Sequence, residues 1–295
     1  MGDRIMTVLE NLQAGTAWLG KKGVPEARRN MEYLLAHVLG VKRLDLYLQF
    51  DRPLGEAELA PLRELLRRRG AREPLQHLLG TVQFAGRTFL VDRRALVPRP
   101  ETEDLAVRLL KDGPGNRGGR ALDMGCGTGV LGLTLAAEWA SSGWTVLLAD
   151  ASGEAIALAG ENRVALGVAE SSALLVESDL FASLAGSFDL VMANLPYVDH
   201  DEMAALQPEV RFDPAIALDG GAGGLAVIRR FVDQLPGRLN PGARLAMEVG
   251  AGQGAGVARW LESSGLADVR CESDGHCPDR FVMARWPERD TVPGS

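Results

Sequence analysis

The sequence predicts an α/β protein: a mainly parallel sheet of seven strands with helices on both faces, joined by a β-hairpin to a small N-terminal helical bundle. Three observations carry this. Apolar residues in the first seventy positions recur at helical spacing. From Arg120 onward, short apolar runs alternate with helical patterns, as in sheets built from strand–helix–strand units. The last two apolar runs are separated only by a short turn, so they must pair antiparallel.

In the first region Ile5, Leu9, Leu12 and Leu19, then Met31, Leu34, Leu35, Val38 and Leu39, mark two amphipathic helices. Gly20-Lys21-Lys22-Gly23 breaks the first, and Pro25 suits the first turn of the second. A third spans Glu56 to Arg69, with Leu59, Leu62, Leu65 and Leu66 on one side and a basic face opposite. Thr81 to Asp92 predicts a hairpin turning at Ala85-Gly86. Strands follow at 121–124, 145–150, 173–177, 188–193, 244–249, 269–272 and 281–285. Helices are expected at 130–139, 152–166, 225–235 and 253–264. The domains are then a helical one at 1–74, a hairpin linker at 75–96, an α/β domain at 97–287 and a tail at 288–295.

Composition narrows the function classes. The apolar share of 46% and charged share of 24% are those of a soluble globular protein. No apolar run approaches the ~18–20 residues of a bilayer span. Met1 to Trp18 interleaves Asp3, Arg4 and Glu10 with its apolar positions, unlike a signal peptide. Cys126, Cys271 and Cys277 are odd in number and lack framework spacing, which suits a reducing cytoplasm. Residues 1–80 carry 13 Lys/Arg against 10 Asp/Glu, about +3, so the total of −7 leaves about −10 on the remainder. That balance argues against a nucleic-acid backbone as the main partner.

The strongest local signal is Leu122-Asp123-Met124-Gly125-Cys126-Gly127-Thr128-Gly129, lying between a strand and a helix. A dinucleotide fingerprint would need Gly or Ala where Val130 stands. Gly-x-Gly-x-Gly with an acid two residues before it instead resembles motif I of S-adenosylmethionine-dependent enzymes. In that motif glycines let the backbone hug a ligand without a Cβ in the way. The resemblance implies a class I methyltransferase fold. Asp150, at the end of the second strand, can accept hydrogen bonds from both ribose hydroxyls; the competing role is a helix cap, which Ser152 can also fill. Asp179 and Leu180 close the third strand, where an adenine would lie, although Asp179 can equally be a loop acid.

Asn194-Leu195-Pro196-Tyr197 follows the fourth strand directly. It resembles the Asn/Asp-Pro-Pro-Tyr motif of enzymes that methylate amide or exocyclic amino nitrogens. An amide nitrogen is a poor nucleophile because its lone pair is delocalised into the carbonyl. Such a site accepts both N–H bonds, here from the Asn194 side-chain oxygen and the Leu195 carbonyl, while Tyr197 stacks on the amide. Leu195 departs from the usual Pro, but the contact it must supply is a carbonyl, and Pro196 biases it toward extended backbone.

Further segments resemble the release-factor glutamine methyltransferases (the PrmC, or HemK, family). They are Glu73 to Gly80, Val97-Pro98-Arg99-Pro100-Glu101-Thr102-Glu103, Glu209 to Pro214, Ala217 to Gly221, Glu248 with Gly250 and Gln253, and Asp279 to Val282. The match spans nearly the whole chain, and the Pro-Arg-Pro-Glu-Thr-Glu run is its most specific part. Gly223 departs from it, where an Asp is expected. The resemblance implies S-adenosylmethionine as methyl donor, S-adenosylhomocysteine as product and no metal. It further implies Asn194 and Tyr197 as catalytic residues, with Leu195 and Pro196 beside them on the substrate. The cofactor would be held by Asp123, Gly125, Cys126, Gly127, Thr128, Gly129, Asp150, Asp179, Leu180 and Asn194. The implied substrate is the glutamine of the Gly-Gly-Gln tip of class 1 peptide-chain release factors, docked by the helical domain.

Competing readings are a ribosomal-protein glutamine methyltransferase, a DNA adenine or ribosomal-RNA guanine methyltransferase, and a binding module with a degenerate cofactor site. Acidic charge opposes the nucleic-acid enzymes, and the intact glycine loop and Asn194-to-Tyr197 run oppose the last. Cys271, His276 and Cys277 lie near one turn but lack a fourth ligand at zinc spacing. Gly250 to Gly256 reads either as a second ligand loop or as a turn into the next helix.

Overall fold

The computed structural model describes residues 6–115 and 118–288, so Ile5 and the expected tail beyond Glu288 lie outside the described residues. The chain divides into two compact units: Met1–Gly80 with Gln207–Phe212, and Thr81–Leu206 with Asp213–Ser295.

In the first unit, α1 (Val8–Lys21) begins at a capping box: the Thr7 hydroxyl accepts the Glu10 N–H, and the Glu10 carboxylate accepts the Thr7 N–H. Helix α2 (Ala27–Leu39) starts two residues after Pro25 rather than around it, because Glu26 takes a left-handed conformation (φ 47°) as its cap. Helix α3 (Glu56–Gly70) is followed by a short α4 (Leu75–Leu79), in a segment expected to be linker. The core is Leu12, Leu19, Met31, Leu34, Leu35 and Leu62, so the helical spacing of the sequence does become one buried face. Residues 207–212 are joined to this unit by charge. The Glu209 carboxylate accepts from Arg72 Nε and Nη2 at 2.6 and 2.7 Å and from Arg69 Nη2 at 3.0 Å. Arg69 is only 4% exposed, and losing Glu209 would strand a buried cation.

The second unit opens with the hairpin of β1 (Thr81–Phe84) and β2 (Arg87–Leu90). Ala85 and Gly86 both have positive φ (47° and 75°), the backbone a two-residue hairpin requires. Next comes α5 (Pro100–Asp112), a helix the periodicity did not predict. Its signals are Pro at the first turn, Glu101 and Glu103 near the N-terminus and Lys111 near the end.

The sheet holds β3 (Arg120–Met124), β4 (Thr145–Asp150), β5 (Ala173–Glu177), β6 (Phe188–Asn194), β7 (Leu239–Glu248), β8 (Ala267–Glu272) and β9 (Phe281–Arg285). Their spatial order is β5-β4-β3-β6-β7-β9-β8, with β9 antiparallel to both neighbours and the other described pairs parallel. This is the class I methyltransferase arrangement. Helices α6 (Val130–Glu138), α7 (Gly153–Ala165), α8 (Ala226–Gln234) and α9 (Gly254–Ser263) complete the alternation. Side chains of β6 show why it is central: Leu190 and Met192 enter one core, Val191 and Ala193 the other. Strand order reverses between β3 and β6, and ligands in open α/β sheets bind beyond the strand ends at such a reversal.

Candidate active site

At that reversal lies a cavity of about 630 Å³, within the range of small-molecule sites. One wall is the turn after β3. Gly125 and Cys126 both donate N–H to the Ala149 carbonyl, at 2.8 and 3.1 Å, and Gly129 donates to Cys126. Two glycines of this turn do different work. At Gly127 (φ 53°) an added Cβ would find only the Ala95 Cβ, 3.8 Å away, so the free space there is the cavity's. At Gly129 (φ 80°) it would fall 2.9 Å from Leu133 Cδ1 and 3.2 Å from Ala159 Cβ. Gly129 lets α6 pack; Gly127 leaves room for a ligand. Gly125, Cys126 and Thr128 line the cavity and Gly129 does not.

Asp150 stands at the end of β4 with one oxygen accepting Gly127 N–H and the other Ser152 N–H, both at 2.9 Å. Each oxygen keeps a further acceptor position. Burial raises its pKa, opposed by those backbone donors. The helix cap of α7 is Ser152, whose hydroxyl accepts Ala155 N–H. Asp123 also borders the cavity but is 2% exposed, and its carboxylate turns under α6 to accept Gly132 N–H at 2.8 Å. Burial pushes it up to about 7. Buried Cys126 has its thiol pushed well above the ordinary value by burial, with Asp123 and Asp150 adding to the rise. On the far wall Asp179 pairs with Arg230 at 2.7 Å, and Leu180 (φ 51°) turns into the core. A carboxylate with spare acceptor positions beside a glycine turn open to the cavity fits a ribose-bearing cofactor.

Asn194 ends β6, the strand beside β3, and its carbonyl lies close to Gly125. Its Nδ2 donates to Thr102 Oγ1 and to Glu248 Oε2, both at 3.0 Å, and the Thr102 hydroxyl donates to Glu248 Oε2 at 2.6 Å. Nδ2 thus points at this pair, and Oδ1 has no donor among the described residues. Leu195 and Pro196 border the same cavity, while the Leu195 side chain is buried in the core under Gly125. Tyr197 does not line it. Its ring lies 6.0 Å from the Arg280 guanidinium, and burial pushes its hydroxyl up to about 12. The Tyr197 carbonyl accepts Gln253 Nε2 at 2.9 Å, and a Cβ on Gly224 would stand 2.2 Å from that carbonyl. Gly224, next to the unexpected Gly223, is therefore where the loop closes on the motif.

The neighbouring segments brace this corner. Asp213 accepts Val97 N–H at 3.2 Å and Arg99 Nη2 at 2.8 Å, tying the Pro-Arg-Pro-Glu-Thr-Glu run to the segment after residue 212. Burial raises Asp213 to about 6 against the pull of Arg99. Asn162, fully buried on α7, accepts Leu90 N–H and donates to the Leu90 and Thr128 carbonyls, linking hairpin to glycine turn. The 250–256 stretch is the turn into α9, its Gly252 and Gly254 N–H groups accepted by Asp279. Cys277 and His276 belong to a turn in which Asp274 accepts both their N–H groups and is held down at about 2.

Residues 10–80 match the PrmC N-terminal domain and residues 102–228 the methyltransferase small domain. The release factor glutamine methyltransferase of Geobacter sulfurreducens is 38% identical over 95% of this chain and 97% of its own. That of Cereibacter sphaeroides is 40% identical, covering 96% and 99%. This chain belongs to the release factor glutamine methyltransferase family. The Deinococcus radiodurans member is 38% identical over 95% of this chain and 99% of its own.

Three residues of the site had no role assigned from sequence: Thr102, Glu248 and Asn162. Thr102 and Glu248 stood inside segments that carry the family resemblance, which marked the segments without revealing what the side chains touch. Asn162 sits in a helix whose sequence offers no signal for it. Among the described residues no helix is long and apolar enough to cross a membrane.

Proposed function

We propose that this chain transfers a methyl group from S-adenosylmethionine to the side-chain amide nitrogen, N5, of the glutamine in the Gly-Gly-Gln motif of class 1 release factors. The observation that carries it is Asn194: with Nδ2 held inward by Thr102 and Glu248, its oxygen is left as an acceptor beside the cofactor-sized cavity. Family membership supplies the substrate class.

The backbone of Gly125 to Thr128 and the Asp150 carboxylate would hold the cofactor's methionine and ribose, with Asp179 and Leu180 toward the adenine. Bound there, the cofactor supplies an electrophilic methyl on a sulfonium and leaves as neutral S-adenosylhomocysteine. Asn194 Oδ1 and the Leu195 carbonyl accept the two N–H bonds of the target amide. That orients the nitrogen and stabilises the positive charge it gains as the N–C bond forms and the methyl–sulfur bond breaks; the nitrogen then loses one N–H proton to solvent. Pro196 completes the wall on which the amide lies, and Tyr197, outside the cavity lining, backs the motif against Arg280. The helical unit docks the factor, and a substrate of the translation machinery places the chain in the cytoplasm.

The test offers purified release factor, ribosomal protein and DNA in parallel, with mass spectrometry of the products. One methyl group on the Gly-Gly-Gln glutamine, and none on a Gln→Ala factor, is the expected result. Methylation persisting on the mutated factor rejects the glutamine assignment, and a methylated ribosomal protein or DNA with untouched factor replaces it.

A further inference from the structure

Asn194 can turn its amide either way with little change of shape, and only one way is useful. With Oδ1 toward the cavity it accepts a substrate N–H; reversed, it presents N–H to N–H. The neighbours decide the direction. Glu248 lies at the end of β7, paired in register with Asn194, and is 1% exposed. Thr102 reaches the same point from α5 and is 5% exposed. An ionised carboxylate has acceptors only, so both the Thr102 hydroxyl and the Asn194 Nδ2 must donate to Glu248, as the 2.6 and 3.0 Å contacts show.

We propose that Glu248, with Thr102, is a positioning residue for the reaction: its carboxylate holds Asn194 with Nδ2 inward and Oδ1 toward the target amide. This rests on the function proposed above. It has a consequence in pH. A protonated Glu248 is a donor, and a donor in that place is better satisfied by Asn194 Oδ1, so protonation favours the reversed amide. Burial pushes the Glu248 carboxyl up to about 7. The groups facing it are Thr102 and Glu101 on α5, Arg99 before α5, Arg280 before β9 and Tyr197 after β6; Thr102, Arg280 and Arg99 lower it and Glu101 raises it. Loss of the proton as pH rises through about 7 therefore fixes Asn194 in its productive direction, and turnover rises with it.

The experiment measures turnover against pH at saturating cofactor and release factor, and cofactor affinity by calorimetry. Wild type should show a limb rising through about 7. Glu248→Gln, isosteric but neutral, should be about tenfold to hundredfold slower above that limb, without the limb, and unchanged in cofactor affinity. Thr102→Val should also slow turnover, and Thr102→Ser, which keeps the hydroxyl, should restore it. Independently of activity, the side-chain amide signals of Asn194 in 15N-asparagine-labelled protein should shift with pH through the same range, and should stop doing so in Glu248→Gln. Turnover of Glu248→Gln within twofold of wild type with the limb intact overturns the proposal, as do Asn194 signals that ignore pH. Should wild type leave the release factor unmethylated, the substrate assignment fails while the Asn194 titration still decides this one.

Discussion

The two walls of the cavity are built on different principles. The glycine turn is a local object: residues 125–129 set its shape through their own backbone, and its partners at Ala149 and Asp150 come from the adjacent strand. The Asn194 wall is assembled from afar. Its Thr102–Glu248 bond joins residues 146 positions apart, and Asn194 reaches back 92 positions to Thr102 and on 54 to Glu248. Backbone donors can hold a cofactor shared by many reactions, because the need there is room and a few fixed acceptors. Choosing one face of a substrate amide requires a side chain with a defined direction, and direction has to be imposed by other side chains.

The largest effect is expected at Gly127. Gly127→Val puts a branched side chain into the cavity and should abolish S-adenosylmethionine binding by calorimetry while the fold persists by circular dichroism. Unchanged affinity in the folded variant removes the glycine turn from the cofactor site. On the other wall, Asn194→Ala should cut turnover by ~10²–10³-fold, as loss of one preorganised polar group does, and leave cofactor affinity nearly as it was. Near-normal turnover would refute the substrate role of that wall.

Smaller effects sharpen the division. Asp150→Ala should weaken cofactor binding by about 1.5–3 kcal/mol, the size of hydrogen bonds to a charged acceptor. A fall in melting temperature with no change in affinity would reduce Asp150 to a brace of the turn through Gly127 and Ser152. Gly129→Ala, in the same turn, should instead lower stability by about 1–3 kcal/mol, because a Cβ meets Leu133 at 2.9 Å and the backbone is left-handed. Its cofactor affinity, measured in the folded fraction, should change far less than that of Gly127→Val. Leu195→Pro marks the lower end. It keeps the carbonyl the substrate needs, so turnover should hold within a few-fold, while losing the leucine side chain from the core should lower the free energy of unfolding by about 1–3 kcal/mol.

What was legible in the sequence follows the same line. The alternation of strands and helices, the hairpin at Ala85-Gly86, the glycine turn and Asn194 to Tyr197 all announce themselves within a few residues, because each is a local preference of the backbone or a short periodic pattern. Helix α5 was hidden, although Pro100, Glu101 and Glu103 are starting signals, because its buried face is short, Thr102, Leu105, Ala106 and Leu109 set among charged residues. The attachment of residues 207–212 to the helical unit could not be read either, since an ion pair such as Glu209 with Arg69 and Arg72 leaves no periodic trace.

By itself, then, the sequence determined the fold class, the glycine turn after β3 and the run from Asn194 to Tyr197 after β6, since these depend on local stereochemistry and on spacing. Only the tertiary structure decided that Gly127 faces the cavity while Gly129 faces the core, that Asp123 turns inward under α6, that Tyr197 backs onto Arg280, and that Glu248 and Thr102 meet at the Asn194 side-chain nitrogen. The physical reason is common to all four. A side chain's direction is settled by which partners surround it, and those partners arrive from strands and helices distant in the chain only when the sheet closes its order around β3 and β6.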